Sequence, residues 1–387
     1  MKILTVAWNI VNFENDHFSV PNNGYSVMVH NICEYIGRKT ESYLLQGWPS
    51  VPERLFEHIN IIANDVSKPA EMSTDNVNIW QHQMLSLFEK TITETQYDFV
   101  FIHGAGVFCM NCVETCVKRK LPFAVVFHGS MFKESQFAPR EVVDLEKKMV
   151  LVPDINIITV SHSCSKDFLM AYPFLKDDQI TTIVNGVPIV DNLKVNEARE
   201  YHFENKKTLV CAGTLNPRKN QLQLLRAVSL LPNSYKREIH VVLCGKDSKR
   251  SPYLESVKQE IQRLNLGECV TYIGALSSND MFKVYCNADG AVLPSISDGF
   301  GLVLAEMLQF GKPVIMFSDI GAASEMNSPD ATILVKERTD QALSDAIIEW
   351  YDKKWDKDKI LEYSKLFTME RVAYEYIEYV DNLILKM

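Results

Sequence analysis

The feature that most constrains this chain is an alternation sustained from end to end, in which short apolar, β-branched runs are separated by stretches of helical period. Continuous apolar runs suit strands buried on both faces, and parallel strands need helical crossovers between them. The first series predicts strands at 2–7, 42–45, 60–63, 98–103, 123–127, 155–160 and 180–184, with helices between them such as 26–37, 80–95 and 140–151. After Asn185-Gly186-Val187-Pro188 a polar stretch, 190–207, reads as a linker. A second series then predicts strands at 208–212, 239–244, 270–273, 290–293 and 313–317. At 387 residues the chain is too long for one ordinary core and suits two α/β domains. The boundaries expected are 1–188 and 189–368, with an aromatic, amphipathic closing helix at about 369–387 that returns to the first domain. Tyr374, Ile377, Val380 and Leu383 are its expected apolar stripe.

Composition removes several classes of function. A formal net charge of −9 argues against a nucleic-acid partner, which calls for a basic surplus. No run approaches the roughly 18 apolar residues of a membrane-spanning helix, and the apolar start is too short for a signal peptide, so a cytoplasmic protein is expected. Nine scattered cysteines fit reduced thiols better than a disulfide framework. Cys109, Cys112 and Cys116 fall in one helix with no second cluster to complete a metal site, so they are expected to be buried apolar groups.

Four segments carry residues suited to chemistry, three of them at the carboxyl ends of expected strands, where open α/β sheets bind ligands. Leu293 to Glu306 holds two acids, Asp298 and Glu306, around the turn Gly299-Phe300-Gly301-Leu302 that opens a helix. Glycines let a backbone approach a ligand, free N–H groups at a helix start attract phosphate, and carboxylates accept hydrogen bonds from hydroxyls. Cys211 to Asn220 places Arg218 and Lys219 at the start of a helix, where cations oppose the dipole unless an anion joins them. Val125 to Ser130 puts His128 at the end of a buried strand, with His103 in a similar place one strand earlier, as a residue expected only to shape the cleft. Pro21-Asn22-Asn23-Gly24-Tyr25-Ser26 joins the first strand to the first helix.

Together with Val270 to Gly274, Tyr285 to Asp289 and Gly321 to Glu325, these segments resemble, in order, the family-four GT-B retaining glycosyltransferases, the glycosyl transferases group 1. The resemblance implies two Rossmann-like domains facing each other across a cleft. It implies that Asp298 contacts hydroxyls of a donor sugar, that Glu306 holds the ribose, and that His128 lies beside the sugar. Lys219 and Arg218, with backbone amides of Gly24, Gly299, Phe300, Gly301 and Leu302, would offset the charge of a diphosphate. Thr214 stands where the family carries an Arg, Asn23 where it carries a Gly, and Asp298 where it carries a Glu.

The implied reaction is a retaining, front-face transfer from a nucleotide-sugar donor, UDP-linked by family frequency, to a hydroxyl of a glycan, lipid-linked or protein acceptor. No metal and no cofactor beyond the donor are expected, since Asp356-Lys357-Asp358 lies in a charged helical tail. Lys118-Arg119-Lys120 is either favourable charge at a helix C-terminus or a peripheral membrane contact at the inner face. Two alternatives stay open. One is a catalytically weak nucleotide-sugar-binding subunit of a glycosyltransferase complex, in keeping with the departures at 23, 214 and 298. The other is a nucleotide-sugar epimerase.

Overall fold

A computed structural model of the chain describes residues 1–10, 12–14, 17–19, 24–47, 49–50, 57–66, 74–137, 140–190, 206–247 and 253–385. Most of the polar stretch 190–207, and the loop residues 21–23, lie outside the described residues. The chain divides into two compact units, residues 1–185 with 369–387, and residues 186–368.

The first unit opens with β1 (Lys2–Ala7), a short antiparallel pair, β2 (Asn12–Glu14) and β3 (His17–Ser19), and α1 (Gly24–Gly37). It continues with β4 (Glu41–Gln46), β5 (Ile59–Ile61), α2 (Thr74–Glu94), β6 (Phe99–His103) and α3 (Val107–Arg119). Then come β7 (Phe123–Phe127), α4 (Arg140–Val150), β8 (Ile157–Thr159), α5 (His162–Ala171) and β9 (Ile180–Thr182). Seven strands form one parallel sheet in the order β5-β4-β1-β6-β7-β8-β9. The chain therefore builds outward from β1 on one side and restarts at β6 on the other. That reversal opens a crevice at the carboxyl ends of β1 and β6, because the loops after them diverge to opposite faces. Every residue of β6 and β7 is buried, which is why both read as unbroken apolar runs. Cys109, Cys112 and Cys116 lie in this core beside Phe108 and Val113. Burial pushes the Cys109 thiol up to about 11 and the Cys116 thiol up to about 12, so they act as small apolar groups.

The second unit runs β10 (Lys207–Ala212), α6 (Gln221–Leu230), α7 (Asn233–Glu238), β11 (Ile239–Cys244), α8 (Leu254–Arg263) and β12 (Val270–Tyr272). It goes on through α9 (Ser278–Asn287), β13 (Gly290–Leu293), α10 (Leu302–Gln309), β14 (Val314–Phe317) and α11 (Gly321–Glu325). It ends with β15 (Thr332–Val335), α12 (Asp340–Asp352) and α13 (Lys357–Ser364). Its six-stranded parallel sheet has the order β12-β11-β10-β13-β14-β15, with the reversal between β10 and β13. Asp356 is the N-cap of α13, its carboxylate accepting from Asp358 N at 3.1 Å and Lys359 N at 3.3 Å, so the Asp-x-Asp there serves a helix start.

The closing helix α14 (Met369–Ile384) belongs to the first unit. Its buried face differs from the expected stripe. Tyr374 is 56% exposed, and the inward residues are Met369, Val372, Ala373, Tyr376 and Val380. The spacing is helical in both sets; the helix is rotated so that Tyr376 meets Phe101 edge-on at 5.1 Å while Tyr374 lies under the Lys39 ammonium. Arg371 anchors the helix on the carbonyls of Val184 and Asn185. None of the described helices is long and apolar enough to cross a membrane.

Candidate functional site

In the second unit, β10 and β11 end at Gly213 (φ +149°) and Gly245 (φ +144°). A Cβ on Gly245 would stand 1.9 Å from the Gly213 carbonyl oxygen, so only glycine allows this approach. Beyond it, Asn216 caps a short 3₁₀ turn by accepting from Lys219 N at 3.0 Å, and Asn220, at φ +55°, redirects the chain into α6. The turn is tied to the segment after β13, which the reversal of strand order has placed alongside. Ile296 N donates to Arg218 O at 2.8 Å, Arg218 Nη1 donates to Ser297 O at 2.8 Å, and Asn220 Nδ2 reaches Pro294 O at 3.3 Å.

These ties bring Lys219 Nζ into an ion pair with the Asp298 carboxylate, whose side chains are only 17% and 12% exposed. Asp298 Oδ1 also accepts from Gly301 N at 3.2 Å. Burial pushes the Asp298 carboxyl up, but the Lys219 and Arg218 charges and the two hydrogen bonds outweigh it and hold the group below the usual carboxylate range. The Gly301 amide, one of those expected at a phosphate, is thus already engaged by Asp298. Phe300 is buried with its ring 6.0 Å from that of Phe367, so only its backbone can serve a ligand. Gly301 (φ +74°) caps α10, which Leu302 begins. Thr214, in place of the family's Arg, has its carbonyl tied to Gln221 Nε2 at 3.2 Å.

Further along α10, Glu306 accepts from Tyr285 Oη at 2.9 Å. Burial pushes its carboxyl up to about 7, against the stabilising effect of the Tyr285 hydrogen bond on the anion. A carboxylate with two oxygens can keep one on Tyr285 and offer the other to a ligand.

Two further residues support the turn. Gly321 N donates to Asp298 O at 2.8 Å, and a Cβ on Gly321 would sit 2.3 Å from Gly299 O. Gly321→Ala is therefore expected to push α11 off the 298–299 turn, costing about 1–3 kcal/mol in a denaturation experiment and weakening ligand binding at Asp298 in parallel. Arg338 was not signalled by any motif. Its guanidinium forks onto Asp319 at 2.6 Å twice, donates to Ser295 O and Ile296 O at 3.1 Å each, and stacks on Phe317 at 4.4 Å, so it fixes the back of the same turn.

In the first unit, β6 and β7 are neighbours and end at His103 and His128. His103 Nδ1 lies 3.0 Å from His128 Nε2, and Tyr25 sits edge-on to His128 with ring centroids 5.2 Å apart. Tyr25 Oη donates to His103 O at 3.0 Å and accepts from Trp8 N at 3.2 Å, so the end of β1 joins the cluster. Burial holds both imidazoles neutral: His128 is pushed down to about 4, and His103 well below its ordinary value, with His128 adding to the effect. The loop after His128 closes on Glu146, a fully buried acid of α4. Glu146 accepts from Met131 N (2.6 Å), Phe132 N (3.1 Å), Ser130 Oγ (3.3 Å) and Tyr172 Oη (2.9 Å). Its signal in the sequence is an acid on the inward face of an amphipathic helix, shared with Met149 and Val150. Gly24 is the exposed first residue of α1. Lys118, Arg119 and Lys120 are all exposed at the end of α3, with Lys120 in the left-handed cap.

Glycine-lined strand ends, a lysine–acid pair and a second acid on the following helix stand at the strand ends of a doubly wound parallel sheet, where such domains bind their ligands. Residues 194–366, within the second unit, match the family model for glycosyl transferases group 1. Among curated relatives, the O-antigen chain mannosyltransferase RfbU of Salmonella typhimurium is 27% identical over 171 residues, 44% of each chain. The O-antigen chain mannosyltransferase B of Escherichia coli is 24% identical over 206 residues, 51% of this chain and 48% of that one. This chain thus spans about half the length of the curated relatives it matches. Solved structures of GT-B glycosyltransferases share this fold of two parallel-sheet α/β units. Sucrose-phosphate synthase of Thermosynechococcus elongatus superposes with a TM-score of 0.78, 17% identity and full coverage of both chains. HepE of Anabaena, solved in complex with UDP, superposes at 0.75 with 15% identity, covering 99% of this chain and 100% of that one.

Proposed function

We propose that the chain is a retaining, metal-independent glycosyltransferase that moves a sugar from a nucleoside-diphosphate donor to a hydroxyl of a glycan, lipid-linked or protein acceptor. The second unit is the donor side and the first the acceptor side. The observation that carries this reading is the Lys219–Asp298 pair, with Glu306 on the following helix, inside the residues that match the group 1 family model. Without donor, Lys219 and Asp298 neutralise each other. A diphosphate draws the Lys219 ammonium, which then stabilises the charge that grows on the leaving group, and Asp298 becomes free to accept from a sugar hydroxyl. As the sugar–phosphate bond lengthens, the departing phosphate oxygen takes the acceptor's hydroxyl proton on the same face, and the sugar bonds to the acceptor oxygen with its configuration retained. UDP is the proposed nucleotide, in keeping with the UDP complex of HepE. The two mannosyltransferase relatives favour mannose as a competing donor sugar.

The test is release of nucleoside diphosphate from UDP-, GDP- and ADP-linked sugars with a chelator present, and the anomeric configuration of the product by NMR. Transfer that needs an added divalent cation, or an inverted product, would overturn that part of the proposal. Donor binding without turnover would favour the non-catalytic subunit.

Glu306 gives the reaction a pH dependence. Below about 7 its carboxyl is protonated and one oxygen becomes a donor; above about 7 both oxygens accept. Donor affinity is expected to rise from pH 6 to pH 8, and Glu306→Gln is expected to flatten that rise in a titration series. Because the folded value is raised from 4.5, the stability linked to this proton is full below 4.5 and lost as pH rises through about 7.

A further inference from the structure

We propose that His103 is a positioning residue that fixes the tautomer of His128, leaving His128 with Nδ1–H as its hydrogen-bond donor. This rests on the reading that His128 meets the donor sugar. The two rings are held in one arrangement. The His103 carbonyl is pinned by Tyr25 Oη at 3.0 Å and Cys109 Sγ at 3.4 Å, and Tyr25 stands edge-on to the His128 ring. Across the 3.0 Å between His103 Nδ1 and His128 Nε2, two neutral imidazoles share one proton.

Only two arrangements are open. Either His103 Nδ1–H donates, and His103 Nε2 is a bare lone pair, or His128 Nε2–H donates, and His103 Nε2 carries the hydrogen. His103 is 1% exposed, and its Nε2 has no hydrogen-bond partner among the described residues. An orphaned buried N–H is the rarer and costlier defect, so the first arrangement wins. His128 Nε2 then accepts, and the proton of His128 sits on Nδ1. A neutral ring in that state donates to a sugar oxygen through Nδ1 and holds no free lone pair with which to take a proton from an acceptor hydroxyl. The residue that decides this is His103, which touches no substrate in the proposed reaction; it acts through the tautomer of its neighbour.

The test has a substrate-free half and an activity half. Nitrogen-15 NMR of the full chain is expected to show Nδ1–H on both His103 and His128; Nε2–H on His128 would overturn the proposal whatever the activity. Absence of donor turnover by the wild-type chain would instead overturn the function proposed above, and the tautomer would still be read. His103→Leu is expected to mix the His128 tautomers and to lower kcat/KM about 10–100-fold, the range seen when metal-bound histidines lose their orienting partners. His103→Asn, whose amide keeps a donor near the Nδ1 position, is expected to restore most of it. Equal activities for the Leu and Asn variants would overturn the positioning role. Should His103→Leu not fold, His128→Asn against His128→Gln puts the same question, since Asn approximates Nδ1 and Gln approximates Nε2. The Asn variant is expected to be the more active, and a more active Gln variant would overturn the proposal.

Discussion

Replacing Lys219 with alanine is expected to lower kcat/KM for sugar transfer by about 10²–10³-fold, the usual cost of removing one preorganised group from a developing anion. Two effects add. The leaving diphosphate loses the cation nearest it, and Asp298 loses the charge that keeps its buried carboxyl ionised. Once burial dominates, the Asp298 carboxyl shifts upward, and a protonated acid accepts fewer hydrogen bonds from sugar hydroxyls. Leaving one partner of a mostly buried pair alone costs the second unit about 1–3 kcal/mol of stability. Lys219→Arg keeps the charge, but its planar fork does not reproduce a compact ammonium between Gly213 and Asp298, so only partial recovery is expected. Steady-state kinetics with the preferred donor checks both variants, and a Lys219→Ala chain within twofold of wild type would contradict the assignment.

The second large effect is expected at a residue that belongs to none of the motifs. Glu146→Ala removes the single acceptor shared by two backbone amides, the buried Ser130 hydroxyl and the buried Tyr172 phenol. Orphaned buried donors and the loss of a charged acceptor point to a cost of about 3–5 kcal/mol. For a unit of this size each kcal/mol moves Tm by about 2–4 °C, so calorimetry is expected to show a drop of about 6–20 °C. Transfer should fall as well, because the Gly129–Phe132 loop that follows His128 loses its anchor. Glu146→Gln keeps the shape and one acceptor oxygen but faces amide donors with its own NH₂, so an intermediate loss is expected.

What could be read in advance follows from burial. β1, β7, β11 and β13 run over the same residues as expected from the sequence, because a strand covered on both faces must be apolar at every position. The β2–β3 pair, Asn-Phe-Glu and His-Phe-Ser, carries no such run and is not among the expected strands; the edge strand β15, Thr-Ile-Leu-Val, does carry one, but at four residues it is too short to stand out. The closing helix was recognised by its period, yet its rotation was not, since tyrosines can face either core or water and only the Phe101 contact decides. At the site, glycines at 213, 245, 299, 301 and 321 announce backbone requirements, and Lys219, Asp298 and Glu306 stand out by motif. That Lys219 pairs with Asp298, 79 positions away, depends on β13 lying next to β10. The His103–His128 contact depends likewise on β6 lying next to β7. Strand order is not written in any one segment, and so neither pairing could be read from the motifs alone. Glu146 and Arg338 hold their loops partly through backbone amides and carbonyls, which leave no pattern in side-chain identity.

The most direct test of the central claim is a calorimetric titration of the wild-type chain with UDP-, GDP- and ADP-linked sugars, with a chelator present, beside Lys219→Ala and Glu306→Ala. Wild type is expected to bind one of these donors selectively, and both variants to lose at least about tenfold in affinity, some 1.4 kcal/mol. No binding of any donor by wild type, or unchanged binding by both variants, would contradict that claim.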